Sequence, residues 1–430
     1  MTAVFSYKRT ITVLLLCCAG FSRSIAAQAA SSLSLQRVGG VAAVSAVLAY
    51  LHRQSSSQSS SSSSSSFLSP RAVFTPARGS LVDQTIVITG GTTGLGLESA
   101  KRLAYAGATI ILTARTVIKG QAAVTAVKEY LREQYEKDDN NSNNNSDDAR
   151  ISFKVLDLDD LQSVKSMVAE WEQEYDATPP NRRKRIDVLL NNAGIMAVPE
   201  RQLTKDGFER QFQSNHLGHF VLTALLANKL LNDTARIINV SSEAHKMAFW
   251  TGLDLDYAWR AEPPESYGAW KSYGQSKLAN ILFTQELQRR IDAANEEVDC
   301  RAGGSDIRDW TVVAVHPGAV ATDLARNLMG VEAFEQAKAG QASWFQQQLL
   351  QTIALFIKTV EQGANTQVWL AAKAETVNVR GRYLADFQLK ILGDYANDRR
   401  AAARLWNESE KLSGVVFDVQ SCRPTTSRNR

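Results

Sequence analysis

The chain has 430 residues, of which 44% are hydrophobic and 21% charged, so it can bury at least one full-sized core and carry further segments. Its net charge of +4 originates in residues 1–82, which contain seven Lys and Arg but no Asp or Glu, and the remainder is weakly acidic. The folded part therefore lacks the clustered cations that a phosphate backbone requires, which argues against a nucleic-acid partner.

The cysteines and histidines do not have the spacing of a metal site. Cys300 and Cys422 are the only cysteines after the N-terminal segment, and they are too far apart in the chain for a zinc motif or a disulfide framework. None of the five histidines belongs to a His-Glu-x-x-His pattern. We therefore expect no bound metal, and we expect His216 and His219 to be hydrogen-bonded structural residues.

Residues 1–54 have the composition of a targeting leader. Lys8 and Arg9 precede an apolar run, as in a signal peptide, and the acid-free stretch that follows is rich in Ser, Ala and Arg, as in a transit peptide. This order predicts a two-part leader for import into a plastid-like organelle, with the endoplasmic reticulum membrane as the alternative destination. Residues 38–51 are apolar but shorter than the ~20 residues of a spanning helix, so a short membrane anchor there stays open.

The folded domain is predicted to begin at residue 83, after a serine-rich linker over residues 55–82. Thr85 to Thr89 is a β-branched apolar run, typical of a buried parallel strand. A glycine-rich turn follows from Gly90 to Gly96, and helical spacing of apolar residues follows the turn. This order predicts a dinucleotide site, because glycine lets the backbone approach a pyrophosphate closely and the helix N-terminus offers N–H groups to it.

The second predicted strand, Ala108 to Thr113, is followed by Ala114 and Arg115. At this strand end an acidic residue binds the 2′-hydroxyl of NAD, whereas an arginine accommodates the additional phosphate of NADP. Arg115 therefore favours NADP(H) as the cofactor.

Strands and helices alternate through the rest of the domain. Further strands are predicted at residues 151–156, 186–190, 236–240 and 311–315, with helical patterns around 116–135, 160–175, 216–231, 275–297 and 399–412. This alternation indicates an α/β protein with a doubly wound parallel sheet, the Rossmann fold, in a single catalytic domain over residues 83–415. A polar tract over 137–149 predicts a disordered insertion, and residues 416–430 predict a tail.

Ligands of such sheets bind at the carboxyl ends of the strands. The residues at those ends are Gly90 to Gly96, Arg115, Asp157, Asn191 to Gly194, Ser241, Ser242 and His316 to Gly318, with Tyr273 and Lys277 at the opening of the helix after the fifth strand. In kind and in order these motifs resemble the short-chain dehydrogenase/reductase superfamily, over about residues 83–320.

The resemblance implies roles for individual residues. It implies four catalytic residues: Asn215, Ser242, Tyr273 and Lys277. It implies the following cofactor-binding residues: Gly90, Thr92, Thr93, Gly94, Leu95, Gly96, Arg115, Asp157, Leu158, Asn192, Ala193, Gly194, Tyr273, Lys277, Pro317 and Gly318. Among these, Asp157 would contact the adenine, and Pro317 and Gly318 would lie beside the nicotinamide.

Tyr273 and Lys277 are four residues apart and so share one face of a helix. A phenol is a poor base at neutral pH, but a neighbouring ammonium favours the phenolate and lowers the phenol pKa. By the resemblance, Tyr273 exchanges a proton with the carbonyl oxygen and Asn215 positions Lys277 through water. Ser242, rather than Ser241, would bind the same oxygen, because the family's serine is the second of such a pair.

Four segments are similar to retinol dehydrogenases and to the oxidoreductase module of the WW-domain-containing oxidoreductase: residues 203–209, 215–220, 272–283 and 316–322. This branch implies a carbonyl or alcohol on a lipophilic small molecule as substrate. The apolar stretch 349–357 is then a candidate cover for the substrate, equally well explained as a core helix. The helix after Tyr273 is a candidate homodimer interface.

Two other functions stay open. Protochlorophyllide reductases share the Asn-His-Leu-Gly-His-Phe run at residues 215–220, but they are expected to place cysteines in the active-site region, where this chain has none between residues 19 and 299. A non-catalytic NADP(H)-binding sensor or scaffold is disfavoured, because such a protein would have no chemical need for all four catalytic residues.

Overall fold

The computed structural model describes residues 72–138, 150–299, 308–318, 358–373 and 377–419. Contacts divide the chain into two units, one of which spans residues 70–320 and 359–430. The other unit, residues 1–69 and 321–358, lies outside the described residues apart from Lys358. The predicted leader with its apolar segment 38–51, the candidate cover at 349–357, and most of the linker and of the polar insertion therefore lie outside the described residues as well.

Eight strands form one sheet: β1 (Thr85–Ile88), β2 (Thr109–Ala114), β3 (Ile151–Val155), β4 (Ile186–Asn191), β5 (Leu231–Val240), β6 (Thr311–His316), β7 (Tyr383–Ala385) and β8 (Gln388–Leu389). Their order across the sheet is β3-β2-β1-β4-β5-β6-β7-β8. All neighbours are parallel except β7 and β8, which are antiparallel. The prediction of a doubly wound parallel sheet is confirmed.

The helices that flank the sheet are α1 (Gly94–Tyr105), α2 (Val117–Asp138), α3 (Leu161–Ala177), α4 (Gly218–Ala227), α5 (Leu255–Arg260), α6 (Ala269–Asp299), α7 (Val360–Ala372) and α8 (Arg399–Ser413). Helix α4 continues a short helical turn, Arg210–Phe212, and a π-helical segment, Gln213–Leu217. Asp160 caps α3 by accepting hydrogen bonds from the backbone nitrogens of Gln162 and Ser163. None of the helices within the described ranges combines the length and apolarity needed to cross a membrane.

Both faces of the central strands of the sheet are buried. Val87 and Leu189 pack with residues of α3, α4, α6 and α8, whereas the next residues along the strands, Ile88 and Leu190, pack with α1, α2 and α7. Successive side chains of a strand point to opposite faces, so a strand covered on both sides must be apolar at every position. This explains the continuous apolar runs of β1 and β4.

The direction of winding reverses between β1 and β4. From β1 the chain proceeds to β2 and β3 on one side, and from β4 it proceeds to β5 and β6 on the other. A crevice opens at the carboxyl ends of the strands where a sheet reverses in this way. The glycine turn after β1 and the segment Asn192 to Gly194 after β4 both lie at this crevice.

The helical run expected around residues 216–231 differs at both ends. It begins at Arg210, because Glu209 accepts a hydrogen bond from the Phe212 nitrogen at 2.7 Å and so caps the first turn. It ends at Ala227, and Leu231 already belongs to β5, which is five residues longer at its start than predicted. Strands β7 and β8, with three and two residues, are absent from the sequence prediction because a periodic pattern cannot be recognised in so few residues.

The folded unit extends beyond the predicted boundaries of residues 83 and 415. The backbone nitrogen of Phe74 donates to Asn365 Oδ1 at 2.9 Å, and Leu81 is buried, although both lie in the predicted linker. Phe417, in the predicted tail, stacks on Trp406 of α8 with the ring centroids 4.9 Å apart.

Candidate active site

Two close backbone approaches shape the glycine turn after β1. Gly90 has a φ of +62°, and a Cβ there would lie 2.9 Å from the Cα of Ala193. A Cβ at Gly96 would lie 2.5 Å from the Gly90 oxygen and 2.6 Å from Asn192 Nδ2. A side chain fits at neither position, and the turn packs directly against the segment that follows β4.

Thr89 joins the same two segments. Its Oγ1 accepts hydrogen bonds from the backbone nitrogens of Asn192 and Ala193, each at 2.9 Å, and its backbone oxygen accepts one from Asn192 Nδ2 at 2.9 Å. Gln367 of α7 adds a contact to Asn192 Oδ1 at 3.3 Å. The floor of the crevice is therefore held by side chains from three separate parts of the chain.

Helix α1 begins inside the glycine turn. Thr93 precedes its first residue, Gly94, and makes no capping hydrogen bond with its side chain, while Thr92 and Leu95 lie on either side. The first N–H groups of a helix have no acceptor within the helix, and the helix dipole adds positive potential there. Together with the space that Gly90 leaves, these groups form a cradle that fits the diphosphate of a dinucleotide.

The predicted adenosine-side residues follow β2 and β3. Arg115 comes directly after β2, and its side chain is exposed. Asp157 Oδ1 accepts a hydrogen bond from the Asp159 nitrogen at 3.0 Å, and Leu158 is buried beside Gly218. These residues lie at the same edge of the sheet as the glycine turn, but β2 and β3 are four and five positions away from β6 in the strand order.

Tyr273 and Lys277 lie on one face of α6. Lys277 Nζ is 5.8 Å from the centroid of the Tyr273 ring. Lys277 is 3% exposed and Tyr273 is 8% exposed. Trp270 packs its ring against Tyr273 with the centroids 6.1 Å apart and the planes nearly perpendicular. The helix begins at Ala269, so Tyr273 stands in its second turn rather than at its opening. A cation therefore lies beside a phenol in a largely apolar setting.

The Lys277 ammonium is held at the end of β5. It donates to the Val240 oxygen at 3.0 Å, and burial lowers the pKa of Lys277 to about 8. A Cβ at Gly194 would lie 3.3 Å from Lys277 Nζ and 3.0 Å from Asn215 Oδ1. Gly194 thus leaves the space in which the ammonium and the Asn215 amide come together, and the lysine is still mainly charged at neutral pH.

Asn215 lies in the π-helical segment and is fully buried. Its Oδ1 accepts from the Ile195 nitrogen at 2.8 Å, and its Nδ2 donates to the Ile195 oxygen at 3.0 Å and to Ser276 Oγ at 2.9 Å. Ser276 is the neighbour of Lys277 in α6. Asn215 therefore ties the segment after β4 to the helix that carries Tyr273 and Lys277.

The two serines after β5 have different partners. Ser241 is buried and donates to the backbone oxygen of Lys277 at 2.7 Å. Ser242 is half-buried, and its Oγ accepts from the Ala244 nitrogen at 3.2 Å, so its hydroxyl can still donate. A Cβ at Gly274 would lie 2.7 Å from the Ala244 oxygen, which brings the Ser242 turn against α6 directly beside Tyr273.

A further group surrounds Ser242 that the sequence pattern did not reveal. Glu243 Oε1 accepts from the Tyr383 hydroxyl at 3.2 Å, and His245 Nδ1 lies 2.6 Å from the backbone oxygen of Ser242. Burial, together with the Glu243 carboxylate, raises the pKa of Tyr383 well above its usual value. Tyr383 lies far along the chain in a three-residue strand, so only Glu243 and His245, one and three residues after Ser242, could have been found from the local sequence.

The end of β6 completes this edge of the crevice. The Ser241 nitrogen donates to the Val315 oxygen at 2.8 Å, which places the segment after β6 beside the segment after β5. Pro317 and Gly318 follow the strand, and Gly318 has a φ of +92°. Both residues thus lie on the side of the crevice that holds Ser242.

Comparisons with known proteins agree with this architecture. A family model described as short chain dehydrogenase matches residues 84–252. Human retinol dehydrogenase 13 is 34% identical over 343 residues, which cover 79% of this chain and 87% of the relative. The chain belongs to the short-chain dehydrogenase/reductase superfamily. The chloroplastic short-chain dehydrogenase TIC 32 A of Brassica napus is also similar, with 33% identity over 76% of this chain and 88% of the relative.

A solved structure gives the same result for the fold of this short-chain dehydrogenase/reductase. The crystal structure of an uncharacterized protein from Mycobacterium Paratuberculosis aligns with a TM-score of 0.54 and 30% identity, over 81% of this chain and all of the other. The predicted superfamily and its retinol dehydrogenase-like branch are confirmed, and with them an oxidoreductase that uses a nicotinamide cofactor on a small molecule.

The short-chain dehydrogenase/reductase fold brings the predicted site residues into two groups. Asn215 and Lys277 meet at Gly194, and the turn that carries Ser242 contacts α6 beside Tyr273. The glycine turn and the Asn192 segment form the second group, at the switch point. Arg115 follows β2, and Asp157 and Leu158 follow β3, so these three residues lie at strand ends on the other side of the glycine turn.

Proposed function

We propose that the protein interconverts a carbonyl and an alcohol on a lipophilic small molecule with NADP(H), and that Tyr273 is the acid/base. The observation that carries the proposal is the convergence of Lys277 and Asn215 at Gly194, beside the Tyr273 ring. A cation in a poorly solvated site lowers the pKa of a neighbouring phenol, which suits it to proton exchange near neutral pH.

The chain's own residues account for the proton movements. The nicotinamide, when bound, supplies or removes the hydride. In reduction, Tyr273 donates its phenolic proton to the carbonyl oxygen, and the Lys277 ammonium stabilises the phenolate that is left. Ser242 donates a hydrogen bond to the same oxygen while negative charge develops on it. In oxidation the phenolate of Tyr273 takes the proton of the alcohol. Asn215 holds α6 in place through its hydrogen bond to Ser276.

The cofactor would lie along the strand ends, with its diphosphate in the cradle of the glycine turn. The residues that would hold it are Gly90, Thr92, Thr93, Gly94, Leu95 and Gly96 at the diphosphate, Arg115, Asp157, Leu158, Asn192, Ala193 and Gly194 toward the adenosine, and Tyr273, Lys277, Pro317 and Gly318 toward the nicotinamide. Arg115 supports NADP(H) over NAD(H), because a guanidinium pairs with a phosphate and no acidic residue occupies that strand end.

The names of the relatives support an apolar substrate. Several of them are retinol dehydrogenases, and retinol is a long apolar alcohol. The ring of Trp270 beside Tyr273 supplies an apolar wall at the reacting group, as an apolar substrate requires. The chloroplastic relative supports delivery of this chain to a plastid-like organelle, and the endoplasmic reticulum membrane is the alternative that imaging of the tagged full-length protein decides.

The test is oxidation of NADPH by the full-length protein with a panel of apolar aldehydes and ketones. Replacement of Tyr273 by Phe removes only the phenolic hydroxyl, so we expect turnover to fall at least about 1,000-fold while NADPH binding stays within about threefold of the wild type. Tyr175→Phe is the matched control, because Tyr175 lies at the end of α3 far from the carboxyl ends of the strands, and it should retain full activity.

Three outcomes would redirect the proposal. Turnover that survives in Tyr273→Phe rules out the assigned acid/base. Light-dependent reduction of protochlorophyllide, with no activity on the carbonyl panel, would favour the pigment reductase, whereas NADPH binding without any turnover would favour the sensor.

A further inference from the structure

His219 lies between the cofactor-binding turn and Asn215. It is 3% exposed, and both of its ring nitrogens have hydrogen-bond partners. Nδ1 lies 3.0 Å from the backbone oxygen of Asn215, and Nε2 lies 2.8 Å from Thr89 Oγ1. One imidazole therefore spans the distance between the strand end that begins the glycine turn and the π-helical segment that carries Asn215.

The partners determine which nitrogen of His219 carries the proton. A backbone carbonyl can only accept, so Nδ1 must be the N–H donor to Asn215. In a neutral imidazole Nε2 then accepts, and the Thr89 hydroxyl donates to it. The lone pairs of Thr89 Oγ1 are occupied by the N–H groups of Asn192 and Ala193. The N–H groups of the segment after β4 thus donate to Thr89, Thr89 donates to His219, and His219 donates to the backbone oxygen of Asn215.

This arrangement does not change near neutral pH. Burial, together with the nearby Lys277 charge, lowers the pKa of His219 to about 4. A second proton on Nε2 would also remove the acceptor for the Thr89 hydroxyl. His219 therefore remains neutral and keeps a single tautomer.

We propose that His219 is a positioning residue that couples cofactor binding at the glycine turn to the placement of Asn215 and, through Ser276, of Lys277. Gly90 follows Thr89 directly, so a shift of the glycine turn around a bound diphosphate would move the Thr89 hydroxyl. That hydroxyl is the hydrogen-bond donor to His219 Nε2. Asn215 in turn holds Ser276 at 2.9 Å, next to Lys277. The expected effect on kcat rests on the proposed function. The expected link between cofactor binding and the position of Asn215 does not.

Two substitutions at His219 test its hydrogen bonds to Thr89 and to Asn215 separately. The amide of Asn reaches the position of Nδ1, so His219→Asn can keep the bond to Asn215 and loses the bond to Thr89. The longer Gln reaches the position of Nε2, so His219→Gln keeps a partner for Thr89 and loses the bond to Asn215. We expect His219→Asn to raise the Kd for NADPH about tenfold with a near-normal kcat, and His219→Gln to lower kcat about tenfold with a near-normal Kd.

His216→Gln is the matched control. His216 is a buried histidine of the π-helical segment that carries Asn215, but its Nε2 lies 3.0 Å from Ser409 Oγ of α8, on neither side of the Thr89–His219–Asn215 connection. The control should change neither the Kd for NADPH nor kcat. Thr89→Val should weaken NADPH binding at least as much as His219→Asn, because it also removes the acceptor of the Asn192 and Ala193 nitrogens. Thr89→Ser should keep the wild-type affinity, and the double variant His219→Asn with Thr89→Val should bind no more weakly than Thr89→Val alone.

A spectroscopic measurement tests the coupling without turnover. In the full-length protein labelled with ¹⁵N-histidine, the His219 resonances should report a protonated Nδ1 and an unprotonated Nε2, and saturation with NADPH should shift the Nε2 resonance. A protonated Nε2, no shift with NADPH, or equal losses of kcat and NADPH affinity in both His219 variants would overturn the proposal. If no carbonyl is reduced, the proposed function fails, whereas the resonances and the NADPH affinities still decide the coupling.

Discussion

Ser241 and Ser242 are neighbours with the same chemistry but different surroundings. Because successive residues at a strand end point in opposite directions, Ser241 turns inward to the Lys277 carbonyl and Ser242 lies in the turn beside Tyr273. The sequence cannot distinguish two identical side chains, so only the resemblance to the family favoured Ser242. The hydrogen bonds of the folded chain supply an independent physical reason for the same choice.

This difference predicts opposite effects of two alanine substitutions. Ser242→Ala should lower kcat about 100-fold with little change in stability, because it removes a donor to the reacting oxygen. Ser241→Ala should lower the free energy of unfolding by about 1 kcal/mol, because it leaves the Lys277 carbonyl without that donor. Steady-state kinetics and urea unfolding of both variants check this. A larger loss of kcat in Ser241→Ala would contradict the assignment.

Among the elements, those defined by local sequence were predictable and those defined by distant contacts were not. The order of β1, glycine turn and α1 follows from residues 85–105 alone. The start of the helical run at Arg210 was missed, because its cap is Glu209 rather than the usual Ser, Thr, Asp or Asn. Strand β7 was missed because its three residues form a strand only by pairing with β6.

The glycine turn leads to a prediction with a close control. Gly90 and Gly252 both have a φ of +62°, but their surroundings differ. A Cβ at Gly90 would lie 2.9 Å from the Cα of Ala193, whereas a Cβ at Gly252 would point into open space. Gly252→Ala should therefore cost only the backbone strain, about 1 kcal/mol. Gly90→Ala should cost more and should weaken NADPH binding at least tenfold.

Urea unfolding and NADPH titration of the two glycine variants measure these effects. Equal losses of stability with unchanged NADPH binding would show that the close approach at Gly90 does not matter.

For the whole molecule, the class of fold followed from the alternation of strands and helices, but the ends of the folded unit did not. Phe74 and Phe417 lie in stretches whose composition is typical of a linker and a tail. They belong to the fold because Phe74 contacts Asn365 of α7 and Phe417 stacks on Trp406 of α8. Contacts between such distant parts of a chain are not visible in a local pattern.

The burial of His216 predicts how the stability of the whole fold depends on pH. Burial lowers its pKa from 6.5 to about 3, so the unfolded chain takes up a proton at this residue below pH 6.5 while the folded chain does not. Its contribution to stability is therefore complete above pH 6.5 and is lost as the pH falls toward 3. Between pH 7 and pH 5 the loss should be about 2 kcal/mol.

His216→Gln keeps a partner for Ser409 and cannot titrate. Urea unfolding at pH 7 and pH 5 should show a smaller drop in stability for this variant than for the wild type. Equal drops would mean that His216 takes up its proton in the folded protein as readily as in the unfolded chain, so that its pKa is not lowered by burial.

Because Arg115 is exposed, a substitution there can change the preference for NADP(H) or NAD(H) without changing the stability of the fold. Thr89, Asn192 and His219 are interlocked, so a change at any of them disturbs the core of the sheet as well as the cofactor cradle. A change at an exposed residue such as Arg115 leaves the free energy of unfolding nearly unaltered. Under the proposed assignment, single substitutions that are neutral for folding can shift the preference between the two nicotinamide dinucleotides, so a relative of this chain could differ in cofactor use with an unchanged cradle.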